Sequence, residues 1–271
     1  MTAKTYSRVL TIAGSDSGGG AGIQADLKTF AALGCYGMSA ITALTAQNTR
    51  GVTDIHAVPP AFAGAQLDAV LSDIGTDAVK IGMLFSSDLI QTVAERLDQH
   101  NVANIVLDPV MVAQSGDKLL QDDAIAAIKK HLMPLADIVT PNLPEAEVLL
   151  GKPLSAADTM ATAAKELADF GSRSVLIKGG HRETANCTDI LYLADEDRWL
   201  ELTGKRFATH NNHGTGCTLS SAIAAYLAKG HPLEQAVKAG KAYISNAIRV
   251  GAGYSLGSGH GPVHHFFNYW E

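Results

Sequence analysis

Cysteine is scarce in this chain of 271 residues: Cys35, Cys187 and Cys217 stand far apart, with no C-x-x-C pair. That spacing excludes a thiolate zinc site and a disulfide framework, and reduced thiols fit a cytoplasmic protein. Positive charge is thin and scattered. With 21 Lys and Arg against 27 Asp and Glu the net charge is −6, and no basic cluster builds a nucleic-acid face. No apolar run reaches the roughly 18 residues of a membrane span. The segment Met1–Ser7 lacks the apolar stretch of a signal peptide. There is no Gly-Lys-Ser/Thr, which removes a Walker A loop, and no HExxH. Internal repeats, low-complexity blocks and linkers are also missing, so the chain is expected to form one domain over residues 1–271.

What remains is an alternation of short β-like runs with helix-length segments. Hydrophobic residues are 46% and charged residues 18%, a balance that supports a soluble domain with a sizeable core. Strands are predicted at Arg8–Ala13, Met38–Leu44, Ala78–Ile81, Asn104–Leu107, Asp137–Val139 and Ser174–Lys178. A hairpin is predicted from Asp189–Ala194 and Trp199–Leu202 around Asp195–Asp197. Helices are predicted at Ile23–Leu33, Ala61–Leu71, Leu89–Leu97, Asp122–Leu132, Leu143–Leu150, Thr215–Ala228 and Leu233–Val250. A further helix is expected to begin at Ser155, with Asp158 three residues on as a variant capping box. Strand–helix alternation implies an α/β fold: a mostly parallel sheet covered on both faces, with ligands at the carboxyl ends of the strands.

The run from Ala13 to Asp26 follows the first strand and opens the first helix, and it is rich in glycine. Such a turn lets backbone approach a ligand and directs helix N–H groups at an anion, although the same composition also serves a plain tight turn. A G-x-G-x-x-G frame from Gly18 ends on Ile23, and one from Gly20 ends on Ala25. No acidic residue between Leu27 and Thr53 is available to hold a ribose, so a dinucleotide site is disfavoured.

The run Thr11–Thr29 resembles the opening of the hydroxymethylpyrimidine/phosphomethylpyrimidine kinases, a branch of the ribokinase superfamily. The blocks Ile41–Gly51, Lys80–Met83, Val106–Met111, Thr140–Glu147, Ile177–His181, His213–Ser220 and Gly261–His265 resemble the same family in the same order. The resemblance implies a ribokinase-like three-layer α-β-α sandwich. It implies ATP with Mg2+, a small pyrimidine substrate, two successive phosphorylations on the route to thiamine, and a homodimer. Pyridoxal or pyridoxine kinase is the nearest alternative, and a catalytically silent vitamin-binding protein is a second.

Residue by residue, the amide of Gln47 offers a donor and an acceptor side by side, which complements the ring nitrogen and amine of an aminopyrimidine. The resemblance places Gln47 on the pyrimidine and surrounds the substrate with Gly14, Asp26, Met83 and Val110; the plain alternative for Gln47 is a glutamine satisfied in a polar turn before Asn48–Gly51. Asp26 is expected to accept a hydrogen bond from the substrate. His213-Gly214-Thr215-Gly216-Cys217 precedes a helix of small residues, where backbone N–H groups can form an anion hole for the moving phosphoryl group. Most ribokinase-like enzymes carry a catalytic Asp at the position of Cys217. A helix N-terminus lowers a thiol pKa, so Cys217 is expected to be partly thiolate and either accepts the hydroxyl proton or shapes the anion hole. Asn142-x-x-Glu145 resembles the superfamily N-x-x-E motif. Glu145 and Asp108 are the expected metal ligands, acting largely through water. Lys178 is expected to reach triphosphate oxygens together with Asn142, Glu145 and Thr215. His181, His210 and His213 carry no assigned role, and His264–His265 reads as structural.

Overall fold

The computed structural model describes residues 4–111, 122–154, 159–180 and 186–270. Its strands are β1 (Arg8–Asp16), β2 (Tyr36–Asn48), β3 (Gly51–Ala57), β4 (Ala78–Ile81), β5 (Ile105–Leu107), β6 (Ile138–Val139), β7 (Ser174–Ile177), β8 (Asn186–Leu193) and β9 (Arg198–Lys205). They form one sheet in the order β3-β2-β1-β4-β5-β6-β7-β8-β9. The run from β2 through β7 is parallel, and the outer pairs β2–β3, β7–β8 and β8–β9 are antiparallel. The helices are α1 (Gly22–Ala32), α2 (Pro60–Asp73), α3 (Ser87–Gln99), α4 (Asp122–Ala127), α5 (Leu143–Leu150), α6 (Met160–Ala168), α7 (Thr215–Ala228) and α8 (Leu233–Gly251).

Every residue of β4, β5, β6 and β7 is buried, as expected of strands covered on both sides. On one face Leu10, Ile12, Val79, Ile81 and Leu107 pack with the apolar sides of α2 to α6. On the other, Val9, Ala78, Val106 and Ile138 pack with α1, α7 and α8. Local chemistry fixes the helix ends. The Ser86 hydroxyl caps α3, with Leu89, Ile90, Val93, Ala94 and Leu97 on its buried side. Asn142 and Glu145 cap α5 reciprocally, and Gly151 closes it in the left-handed conformation at φ 70°.

The sequence pattern misses one strand and shifts several boundaries. β2 continues to Asn48 and folds back antiparallel on β3, so Gln47 stands on a strand and not in a turn. β3 has no buried residue, and its exposed alternation carries no apolar signal. The expected helix Asp122–Leu132 is helical only to Ala127 and then widens into a π turn through Leu132. Residues Ser155 and Asp158 lie outside the described residues; α6 is capped by the Thr159 hydroxyl. β7 stops at Ile177, one residue before Lys178.

Asp26 corrects a second expectation. Its side chain has no exposed surface and sits between the sheet and α7, out of reach of a ligand. It accepts from the Lys80 ammonium at 3.0 Å, the Thr11 hydroxyl at 2.6 Å and the Ser221 hydroxyl at 2.7 Å. One carboxylate thus ties α1 to β1, β4 and α7. Burial opposes the Lys80 charge, but Asp26, Cys217 and Asp108 outweigh it and hold the ammonium well above its ordinary pKa. Removing one partner of a fully buried pair leaves an uncompensated charge. Asp26→Asn is therefore expected to cost about 3–5 kcal/mol of stability, while Asp26→Leu with Lys80→Met recovers most of it. Denaturant titration reads both, and an Asp26→Asn protein as stable as the parent would refute this bracing role.

Candidate active site

A cavity of about 430 Å3 opens at the carboxyl ends of the central strands, where the open-sheet rule expects a ligand. Gly14, Gln47, Met83, Val110, Asp108, Asn142, Glu145 and Lys178 line it together with Gly214, Thr215, Gly216 and Cys217. Residues up to 203 positions apart in sequence, from Gly14 to Cys217, therefore face one space.

Met83 and Val110, which line the cavity, pack with Ala43 and Ile55 in a small apolar cluster. Gly14 permits it: a β-carbon there would stand 2.7 Å from the Met83 methyl. Gln47 lines the same cavity, at a bulge in the β2–β3 ladder between Ala46 and Gln47 that re-aims the side chain. Ser17 clamps its backbone twice, donating to the Gln47 carbonyl and accepting from its N–H, both at 2.8 Å.

The floor is the first turn of α7, whose leading N–H groups have no intrahelical partner. Gly214 caps it at φ 78°, and a β-carbon there would fall 1.9 Å from the Gly20 carbonyl. Only glycine lets the two loops touch backbone to backbone. Asp16 joins them: its carboxylate accepts from the N–H groups of Gly18, Gly20 and Ala21 at 2.8, 3.0 and 2.8 Å and lies 2.9 Å from His213 Nε2. Burial works against Asp16, but His213 and these backbone donors outweigh it and hold the carboxyl below its usual range. The C-terminal segment supports the same turn. His213 N–H donates to the Gly261 carbonyl at 3.0 Å, and His265 Nε2 lies 3.0 Å from the Thr218 hydroxyl. His210 is exposed and His181 lies outside the described residues.

Cys217 departs from expectation. Burial, with the Asp26 and Asp108 carboxylates behind it, pushes the thiol up to about 11, although the Lys80 ammonium and the Gly22 N–H favour the thiolate. Desolvation beats the helix terminus, so the group is a neutral thiol at physiological pH.

Lys178 is likewise not a free cation. Its ammonium donates to Asp108 at 2.9 Å and lies 3.7 Å from Glu145. Asp108 also accepts from the hydroxyls of Thr140 at 3.2 Å and Ser220 at 3.1 Å. Burial acts against Asp108, but Lys178 and Lys80 outweigh it and keep the carboxylate ionised. Burial lifts Glu145 above its usual range; Lys178 opposes this without cancelling it, and Asp108 adds to the rise. The Asn142 carboxamide oxygen is spent on the Glu145 N–H at 2.9 Å, and Glu145 accepts from the Asn142 N–H at 2.7 Å. The motif is thus a helix cap that also meets Lys178. Among the described residues no group of three or more His, Cys, Asp or Glu side chains is arranged to hold a metal. The hard oxygen donors Asp108 and Glu145 fit a magnesium ion that keeps most of its water and phosphate ligands.

Sequence reasoning gave no role to Lys80, Asp16 or Thr45, all of which border the cavity. A lysine inside a four-residue apolar strand was the available signal for Lys80. The far end of the cavity was also missed. There Lys241 donates to Asp189 at 2.6 Å beside Phe207, Ile244 and Ile248.

The family described as phosphomethylpyrimidine kinase matches residues 16–264. A hydroxymethylpyrimidine/phosphomethylpyrimidine kinase of Rhizobium meliloti is 52% identical over 97% of this chain and 98% of its own length. The thiamine biosynthesis bifunctional protein ThiED of Geobacter sulfurreducens is 53% identical over 95% of this chain, which spans about half (52%) of that protein. The Staphylococcus aureus pyridoxal kinase in complex with AMP-PCP and pyridoxal superposes with a TM-score of 0.88 at 38% identity, over 98% of this chain and 96% of that one.

The neutral thiol gives a chemical test. Alkylation of Cys217 by iodoacetamide, followed by peptide mass mapping, should be slow at pH 8 and rise about tenfold per pH unit until pH approaches about 11. A rate that levels off below pH 8 would mean a stabilised thiolate instead.

Proposed function

The chain belongs to the phosphomethylpyrimidine kinase family, and from that premise we propose that it transfers phosphate from ATP to 4-amino-5-hydroxymethyl-2-methylpyrimidine. It then phosphorylates the monophosphate to the diphosphate, on the route to thiamine. The observation that carries this reading is the convergence of the Gln47 amide and the α7 N-terminus in one cavity. The first recognises an aminopyrimidine edge; the second receives phosphoryl charge.

The pyrimidine lies against Met83 and Val110 with its amine and ring nitrogen on Gln47, and Gly14 provides room. The N–H groups of the Gly214–Cys217 turn hold the equatorial oxygens of the transferred phosphoryl group. The buried Lys80 ammonium lies under that turn and adds positive potential. Lys178 moves from its carboxylate partners toward the phosphates, with Asn142 and Thr215 at its side. Mg2+, when bound, neutralises charge shared between the leaving and transferring phosphates, and Asp108 and Glu145 are the residues that would face it through water. Phe207, Ile244 and Ile248 offer an apolar slot to the nucleotide base, with Lys241 near its phosphates or ribose. Cys217 orients the acceptor as a neutral group, since its proton is held too tightly for it to serve as base.

Three thiols free of disulfides, Cys35, Cys187 and Cys217, support a reducing cytoplasmic setting. No helix among the described residues is long and apolar enough to cross a membrane. Leu44, 46% exposed on the β2–β3 hairpin at the sheet edge, supports a homodimer packed through that hairpin. The vitamin B6 reading rests on structural relatives of lower identity, so pyridoxal is the weaker substrate.

Purified protein given the monophosphate and ATP with Mg2+ should form the diphosphate; its persistent absence would overturn the reading. Cys217→Ala should retain kcat within about tenfold, whereas loss of a true general base would cost about 10²–10⁴-fold. Lys178→Met should lower kcat/KM by about 10²–10³-fold, read in a coupled ADP-release assay.

A further inference from the structure

Gln47 can recognise an aminopyrimidine with its amide turned either way, and the direction decides which way round the ring enters. In the structure the amide oxygen of Gln47 stands 3.0 Å from Thr45 Oγ1 and the amide nitrogen 3.3 Å from His213 Nε2. A half-turn exchanges amide oxygen and nitrogen without moving any neighbour, so the protons on those neighbours decide the orientation.

On the His213 side, Asp16 Oδ2 lies 2.9 Å from the same Nε2. A carboxylate only accepts, and Asp16 already takes three backbone N–H groups. His213 Nε2 therefore carries a proton, whichever charge the ring bears. A protonated Nε2 cannot accept from an amide NH2, but it can share its N–H between Asp16 and an amide oxygen. On the other side, the Thr45 hydroxyl has one proton and lies 2.9 Å from the Ser15 carbonyl, which can only accept. Its proton goes there. The lone pairs left on Thr45 Oγ1 then face Gln47 and require a donor.

We propose that Thr45 and His213 are positioning residues that fix the polarity of the Gln47 amide a half-turn from that placement, its oxygen toward the His213 Nε2–H and its NH2 toward the Thr45 hydroxyl oxygen. Both flanks of the amide are then satisfied, and its terminal edge remains free as a donor and acceptor in fixed order. The inference rests on Gln47 being the pyrimidine reader of the proposed function. Given that role, the ring amine meets the amide oxygen on the His213 side, and the ring nitrogen meets the NH2 on the Thr45 side. In this substrate the hydroxymethyl group is on the ring carbon next to the amine-bearing one. The fixed polarity therefore sends it toward the turn that begins immediately after His213, where phosphoryl transfer is proposed. The opposite polarity would send it toward Thr45.

The probes are the 4-amino substrate and its 4-oxo analogue, whose ring N–H and carbonyl reverse the donor–acceptor order. Thr45→Val frees the amide to turn. It should raise KM for the 4-amino substrate about tenfold with a smaller change in kcat, and lower the preference for 4-amino over 4-oxo by a similar factor. Thr45→Ser should restore both. Nitrogen-15 spectra of the free protein should show His213 protonated at Nε2. A bare Nε2, or a Thr45→Val protein with unaltered preference, would overturn the polarity proposal while leaving Gln47 as the reader. Gln47→Leu separates the two: an unchanged KM for the pyrimidine would remove the reader itself, and the polarity argument with it.

Discussion

A single carboxylate with no access to water organises this protein's working end. Asp26 gathers Lys80, Thr11 and Ser221, one from each of β4, β1 and α7, onto the helix that carries it. A buried ion pair is poor at adding net stability, since desolvation consumes most of the Coulomb gain. Its effect is one of position: β4 cannot shift relative to α1 without stranding a charge, nor β1 or α7 without taking a hydrogen bond from the buried carboxylate. The glycine-rich loop leaves the end of β1, Met83 follows β4, and the Gly214–Cys217 turn opens α7. Locking those three elements together locks the cavity they border.

The same pair shapes the electrostatics above it. The cavity is bordered by two ammonium groups, the buried Lys80 and the half-buried Lys178, set against Asp26, Asp108 and Glu145. Lys178 is shared between two carboxylates, Asp108 at 2.9 Å and Glu145 at 3.7 Å. Burial and Asp108 lift Glu145 above its usual range against the pull of Lys178. On the proposed function, the site meets a charged nucleotide with cations already in place, which lowers the reorganisation that binding demands.

Much of the fold was legible in sequence because it is written in local pattern: short apolar runs, amphipathic helices, glycine where loops meet. The residues that line the cavity were also visible, as blocks resembling one family. What stayed hidden depends on pairing across the chain. β3 has no fully buried residue, so only its ladder with β2 reveals it. Asp26 and Lys80 are 54 positions apart, and nothing local shows that each exists to satisfy the other. The Cys217 thiol was misread for the same reason. A helix start suggests thiolate, but burial beside Asp26 and Asp108 decides the sign, and burial is a property of the assembled core.

That neutral thiol bears on how one site can act twice. The first acceptor is an alcohol and the second is a phosphate monoester bearing negative charge. A carboxylate at position 217 would assist the alcohol, yet it would stand as a third anion beside Asp26 and Asp108 and repel the monoester. A loose phosphoryl-transfer transition state needs little help from a base, so the alcohol forgoes only a modest rate advantage. The monoester, by contrast, cannot approach the α7 N–H groups past a fixed negative charge without losing the attraction that binds it. On the proposed function, a thiol held in its protonated form admits both acceptors to the same donors, and burial beside Asp26 and Asp108 keeps it protonated against the pull of Lys80.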